Sequence, residues 1–174
     1  MAGSRTLSAA AVILAGLAVV PSRAAIAGSR GPAVVTADEA STAAINRALS
    51  LLSRRPEHVA VIDPAMVKPE VRETLFKVDA FISRGQPVVY LSPHSEVLRG
   101  AREGSRIHTY MLAAIIWHEM AHLDGADERG AQGKEEGLWK RFVVERRVDP
   151  VTALRYLKAM DDRHRVRKTA IVEP

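Results

Sequence analysis

Hydrophobic and polar positions divide the chain into segments of two periods. Residues 6–20 form a small, apolar run, and residues 28–35 are glycine-rich and small, read as a flexible lead-in. Thr36 and Glu39 have the spacing of a capping box, and Ala40, Ala43, Ala44, Ile45, Leu49, Leu51 and Leu52 then follow helical spacing up to Arg55-Pro56. The β-branched run HVAVIDP predicts a short strand stopped at Pro64. A second helix is expected over KPEVRETLFKVDAFISRG, residues 68–85, with Pro69 in its first turn and Gly85 as its stop. Its apolar stripe would be Val71, Leu75, Val78, Phe81 and Ile82. PVVYLS, residues 87–92, predicts a second strand, followed by a loop with room for a helical turn. Ser105 heads a long helix, RIHTYMLAAIIWHEMAHL, which Gly125 breaks. A fourth helix starts near Asp127 and carries Ala131, Leu138, Trp139, Phe142 and Val143; Asp149-Pro150 opens a fifth helical segment. This order predicts a small α+β domain, predominantly helical, with a short sheet.

Composition narrows the chemistry. A chain of 174 residues that is 47% hydrophobic can bury one core of ordinary size. The absence of cysteine excludes a disulfide scaffold, cysteine-ligated zinc and a cysteine nucleophile. The first 27 residues have the parts of a secretory signal: the charged start MAGSR, an apolar core, and Ala25-Ile26-Ala27 at a small-x-small cleavage point. The core is short for a membrane span, so cleavage after Ala27 is favoured over a retained anchor. Residues 28–174 then form a single secreted or periplasmic domain.

The formal charge is +5, and Arg5 and Arg23 supply two of these charges in a segment without acids, leaving +3 for residues 28–174. The excess gathers in RYLKAMDDRHRVRK, read as a solvated helix end rather than a surface for anionic partners. Nucleic acid is not an expected partner of an exported chain with few aromatics.

The stretch AAIIWHEMAHLDGADERGAQ, residues 113–132, concentrates the chemistry. His118 and His122 are one helical turn apart on one face, so two imidazoles can chelate one zinc ion. Glu119 is offset from that face and can act as a base beside the metal without ligating it. Catalytic zinc takes three protein ligands as a rule. The only later histidine is His164, while Asp124, Asp127, Glu128, Glu135 and Glu136 are all close by. Gly125 lets the chain turn back, which favours Glu128 as third ligand. Glu135 lies two turns further on the same face, as an alternative ligand or as an acid orienting an imidazole N–H. Asp124 and Asp127 complete the alternatives.

HEMAH resembles the active-site helix of zincin metallopeptidases, and ERGAQ resembles the glutamate-ligand helix of gluzincins, with Ala131 three positions after Glu128. The stretch is also similar to the metzincin spacing HExxHxxGxxH, with Gly125 in the glycine place. It departs there by having Glu128 at the third ligand and no methionine turn, since Met160 falls in a predicted helix. The resemblance covers about residues 68–145 and implies a minimal gluzincin-like domain. It further implies that His118, His122 and Glu128 bind Zn2+ and that Glu119 activates a zinc-bound water against a peptide or protein substrate. It gives PVVYLS the role of a substrate-binding edge strand, with an ordinary sheet strand as the alternative. It also makes Tyr156 and His164 candidates for stabilising an oxyanion.

His108 lies off the ligand face and reads as a surface or capping residue; His94 reads as exposed, and Trp117 and Trp139 as core. Two rival functions stay open: a metal-binding scaffold of zincin fold without turnover, and a helical domain whose histidines are merely satisfied polar groups. Oligomeric state and cleavage specificity are not encoded in any motif.

Overall fold

The computed structural model describes residues 33–35, 38–83 and 85–159. The predicted signal segment, Thr36, His164 and the basic end beyond residue 159 lie outside them. Ten elements follow in order. They are β1 (Ala33–Val35), α1 (Glu39–Leu49), β2 (His58–Val61), α2 (Pro69–Leu75), β3 (Ala80–Ile82) and β4 (Val88–Leu91), then α3 (Glu96–Arg102), α4 (Arg106–Leu123) and α5 (Glu128–Val144). The tenth, a short 3-10 turn over Pro64–Met66, lies between β2 and α2. A last helical segment covers residues 150–159. The predominantly helical α+β class expected from the periodicity is the observed one.

The sheet is larger than the sequence pattern suggested. Its order is β1-β2-β4-β3, with β1, β2 and β4 parallel and β3 antiparallel to β4. Three expectations are corrected here. Residues 33–35, taken as part of a flexible lead-in, pair with His58 to Ala60 as β1. The predicted helix over residues 68–85 stops at Leu75, and Ala80–Ile82 is a strand buried throughout. The apolar positions of a short segment fit both periods, and pairing of β3 with β4 decides between them. PVVYLS is not an edge strand: β4 lies between β2 and β3, so β1 and β3 form the edges.

Alternation along the strands feeds two cores. Val59, Ala80, Val89 and Leu91 face a large cluster shared with α1, α3, α4 and α5. Phe81, Val88 and Tyr90 point the other way and pack with Ile62, Val67, Leu75 and Val78. Phe81 and Tyr90 are register partners whose rings stack at 5.4 Å.

Helix α4 is the central strut, packed against α1, α3, α5 and β3. Leu112 to Ile116 are all buried, which accounts for an apolar run that circles the helix. Side chains set the helix starts: Asp38 accepts from Ser41 N in α1, Ser95 from Leu98 N in α3, and Asp127 from Gly130 N in α5. The α1 cap is therefore Asp38, and the expected loop after Pro93 contains two turns of helix. No described helix is long and apolar enough to cross a membrane.

Candidate metal centre

The site is built at the end of α4 and the start of α5. Gly125 takes φ +87°, donates its N–H to the His122 carbonyl at 2.9 Å, and lets Ala126 N–H reach the Ala121 carbonyl at 2.9 Å. That pair of bonds is a Schellman stop, which needs a left-handed residue where glycine stands. The same turn aims the Ala126 carbonyl at His122 Nδ1, 2.9 Å away. Asp127 then caps α5 and places Glu128 at its first helical position. Three consecutive local devices thus fold Glu128 back over the histidines.

His118 and His122 are fixed from behind. His118 Nδ1 donates to Glu135 Oε2 at 2.9 Å, and His122 Nδ1 donates to the Ala126 carbonyl. With both N–H groups on Nδ1, both Nε2 atoms present lone pairs. These two atoms are 3.1 Å apart. Facing lone pairs at that distance repel unless a proton or a cation lies between them. Glu128 supplies the third side, with Oε2 3.4 Å from His122 Nε2 and Oε1 3.7 Å from His118 Nε2. Two ligands 2.0–2.1 Å from a tetrahedral zinc would be about 3.3 Å apart, so this donor set has the size of such a site. His118, His122 and Glu128 form the group among the described residues that could hold a metal ion. The histidine side chains are 5% and 4% exposed and Glu128 is 36% exposed, so solvent reaches the site from the α5 side.

The electrostatics agree. Burial opposes a charge on His118, but the hydrogen bond and charge of Glu135, with Glu119 and Glu128, outweigh it and raise its pKa. The bond to Glu128 raises His122. Partial burial pushes Glu128 up, yet its bonds to His122 and Gln132 and the charges of the histidines bring it down to about 2. The cluster therefore attracts positive charge. Glu119 is different: burial drives it up to about 7 against the pull of both histidines. Its Oε2 is buried without a hydrogen-bond partner. A buried orphan oxygen is costly, and such atoms call for an explanation.

The alternative third ligands have other positions. Glu135 meets His118 at Nδ1, on the ring edge away from the donor set. Asp124 pairs with Arg54 at the surface, and Asp127 caps α5. Tyr156 donates its hydroxyl to Glu135 Oε1, which puts it behind His118 and away from Nε2. His108 Nδ1 bonds Ser105 Oγ at 2.7 Å within the α4 start, and His94 is exposed and stacks on Phe76. Trp117 borders the core, and Trp139 is fully buried against Tyr156.

Two participants carried no sequence signal: the Ala126 carbonyl, a backbone atom, and the Tyr156 hydroxyl as partner of Glu135, 21 positions away. Gln132, which donates to Glu128 Oε1 at 3.2 Å, was visible only as the polar residue of ERGAQ. Comparison with family models, curated proteins and solved structures found no match for the chain. What the residues themselves establish is a buried two-histidine, one-carboxylate group able to hold a metal ion, with an unpartnered carboxylate oxygen on the same helix.

Proposed function

We propose that this chain is an exported zinc-dependent peptidase with a minimal gluzincin-like centre, its first 27 residues serving as the export signal. The observation that carries the reading is Glu119. A site that only held a metal would have no use for a carboxylate buried next to a ligand, with one oxygen unpartnered and its pKa near 7. Zinc held by His118 Nε2, His122 Nε2 and a Glu128 oxygen would polarise a substrate carbonyl as a Lewis acid and make an attacking water more acidic. Glu119 takes a proton from that water and passes it to the leaving amine. Glu135 and the Ala126 carbonyl hold the two imidazoles in the ligating tautomer throughout. β3, the edge strand that packs against α4, offers a backbone edge on which an extended peptide can add as a strand.

Metal content of the purified protein, measured for the parent and Glu128→Ala, tests the centre; cleavage of a mixed peptide pool by the parent and Glu119→Gln tests the chemistry. The reading expects about one zinc per chain, much less in Glu128→Ala, and cleavage abolished in Glu119→Gln with zinc retained. A parent that takes up no zinc after reconstitution would sink it. Zinc without cleavage of any peptide would leave a metal-binding scaffold.

A further inference from the structure

We propose that Tyr156 is a positioning residue of the metal centre, acting through Glu135 on His118 and coupling metal binding to the docking of the helix at residues 150–159. The proposal rests on the reading of His118, His122 and Glu128 as a metal site. Tyr156 is 8% exposed, and its ring lies 4.3 Å from Trp139. Its hydroxyl donates to Glu135 Oε1, while Glu135 Oε2 accepts from His118 Nδ1. Glu135 is itself 3% exposed. One buried chain of hydrogen bonds therefore runs from the last helix, through α5, to a ligand on α4.

The two oxygens of Glu135 divide the work. A buried carboxylate with one oxygen unsatisfied would rotate to recover a partner, or draw in water. With the hydroxyl on Oε1, the carboxylate plane is held and Oε2 stays on Nδ1. That bond keeps the His118 N–H on Nδ1 and its lone pair on Nε2. Removing the direct partner of a ligating imidazole, here Glu135, costs about 10–100-fold in metal affinity, and Tyr156, one bond further out, is expected at the low end of that range.

The helix that carries Tyr156 docks through its cap and one apolar face. Asp149 caps it, accepting from Thr152 N at 2.9 Å. Ala153 and Tyr156 are buried, whereas Val151 and Leu154 are 59% and 68% exposed. Leu157 packs against the same core, and the Tyr156–Glu135 bond adds a buried polar attachment to this apolar face. If the hydroxyl helps metal binding, metal binding must help the helix dock by the same free energy.

The test uses the full chain, with zinc alone as probe. Tyr156→Phe keeps the ring and deletes the hydroxyl. Its zinc affinity, from competition with a chromogenic chelator, is expected to fall roughly tenfold or more, with Glu135→Gln at least as weak and the double variant no weaker than Glu135→Gln. In parallel, zinc is expected to slow amide exchange across residues 150–159 in the parent and to do so far less in Tyr156→Phe. Zinc affinity of Tyr156→Phe within threefold of the parent would overturn the proposal while leaving the metal site standing. Exchange at residues 150–159 unchanged by zinc in the parent would do the same, and this arm decides even if the variant fails to fold. A parent that binds no zinc would overturn the proposal together with the reading beneath it.

Discussion

His118 Nε2 and His122 Nε2 face each other at 3.1 Å, each ring held in place by an acceptor at its Nδ1. With neither a proton nor a metal ion between them the facing lone pairs repel. Zinc should therefore stabilise the folded protein through mass action, by about 2.7 kcal/mol when free metal is a hundredfold above its dissociation constant. The midpoint of thermal unfolding is expected to rise on adding zinc, to fall back with a chelator, and to stay unmoved by zinc in Glu128→Ala. Calorimetry of the three samples checks this.

The metal-free and metal-loaded forms should respond to pH with opposite sign. In the metal-free protein, Glu119 is raised from 4.5 to about 7, and His118 and His122 are raised above 6.5. Folded forms with raised values bind protons that the unfolded chain releases, so their stabilisation is present at low pH and lost as pH rises. Glu128, lowered to about 2, contributes above pH 4.5 and loses that contribution as pH falls toward 2. Metal-free stability should peak near pH 4.5, fall toward pH 7 as Glu119 loses its proton, and fall further above pH 6.5 as the two histidines lose theirs. Zinc needs both imidazoles neutral, so the loaded protein should instead gain stability over the same rise. Chemical denaturation at pH 5, 6.5 and 8, with and without zinc, separates the two slopes.

Glu119→Gln isolates one part of that dependence. The amide keeps the shape and cannot ionise, so the loss between pH 4.5 and 7 that Glu119 causes disappears. For a shift from 4.5 to about 7 the difference is on the order of 3 kcal/mol. The metal-free variant should thus be more stable than the parent at pH 8 and similar to it at pH 4.5. A parent and variant with parallel pH curves would show that Glu119 does not hold its proton in the fold.

Gly125 tests the turn that brings Glu128 to the histidines. Apart from its two chain neighbours, nothing lies within 4 Å of where a Cβ would stand, so the cost of a side chain is its φ of +87°. Gly125→Ala should lose about 1–2 kcal/mol and weaken zinc binding, because the Ala126 carbonyl and Glu128 move with the turn. Gly125→Asn should lose less, since asparagine tolerates the left-handed region. Equal losses for the two would point to a cause other than backbone strain.

Asp127 makes a parallel case at the next residue. Asp127→Ala removes the acceptor of Gly130 N–H and should cost about 1 kcal/mol. Because Glu128 is the first helical residue, fraying of that turn should appear as weaker zinc affinity with α4 unchanged. Zinc titration followed by circular dichroism reads both quantities.

The local parts of this protein were legible in its sequence because they depend on neighbours in the chain. His118, Glu119 and His122 share a turn of one helix, Gly125 stops that helix, and Asp127 starts the next; each follows from spacing and backbone preference alone. The predominantly helical α+β class follows from the same periodicities. Tertiary structure decided what depends on partners far along the chain. Residues 80–82 form a strand because β4 offers its edge, although their spacing also fits a helix. Residues 88–91 lie inside the sheet because β2 and β3 flank them. Glu128 and Glu135 share a helix face and a chemistry, and only the packing of α5 on α4 puts one at the Nε2 side and the other at Nδ1 of His118. Tyr156 reaches Glu135 across 21 residues by the same packing, a meeting that no spacing rule encodes.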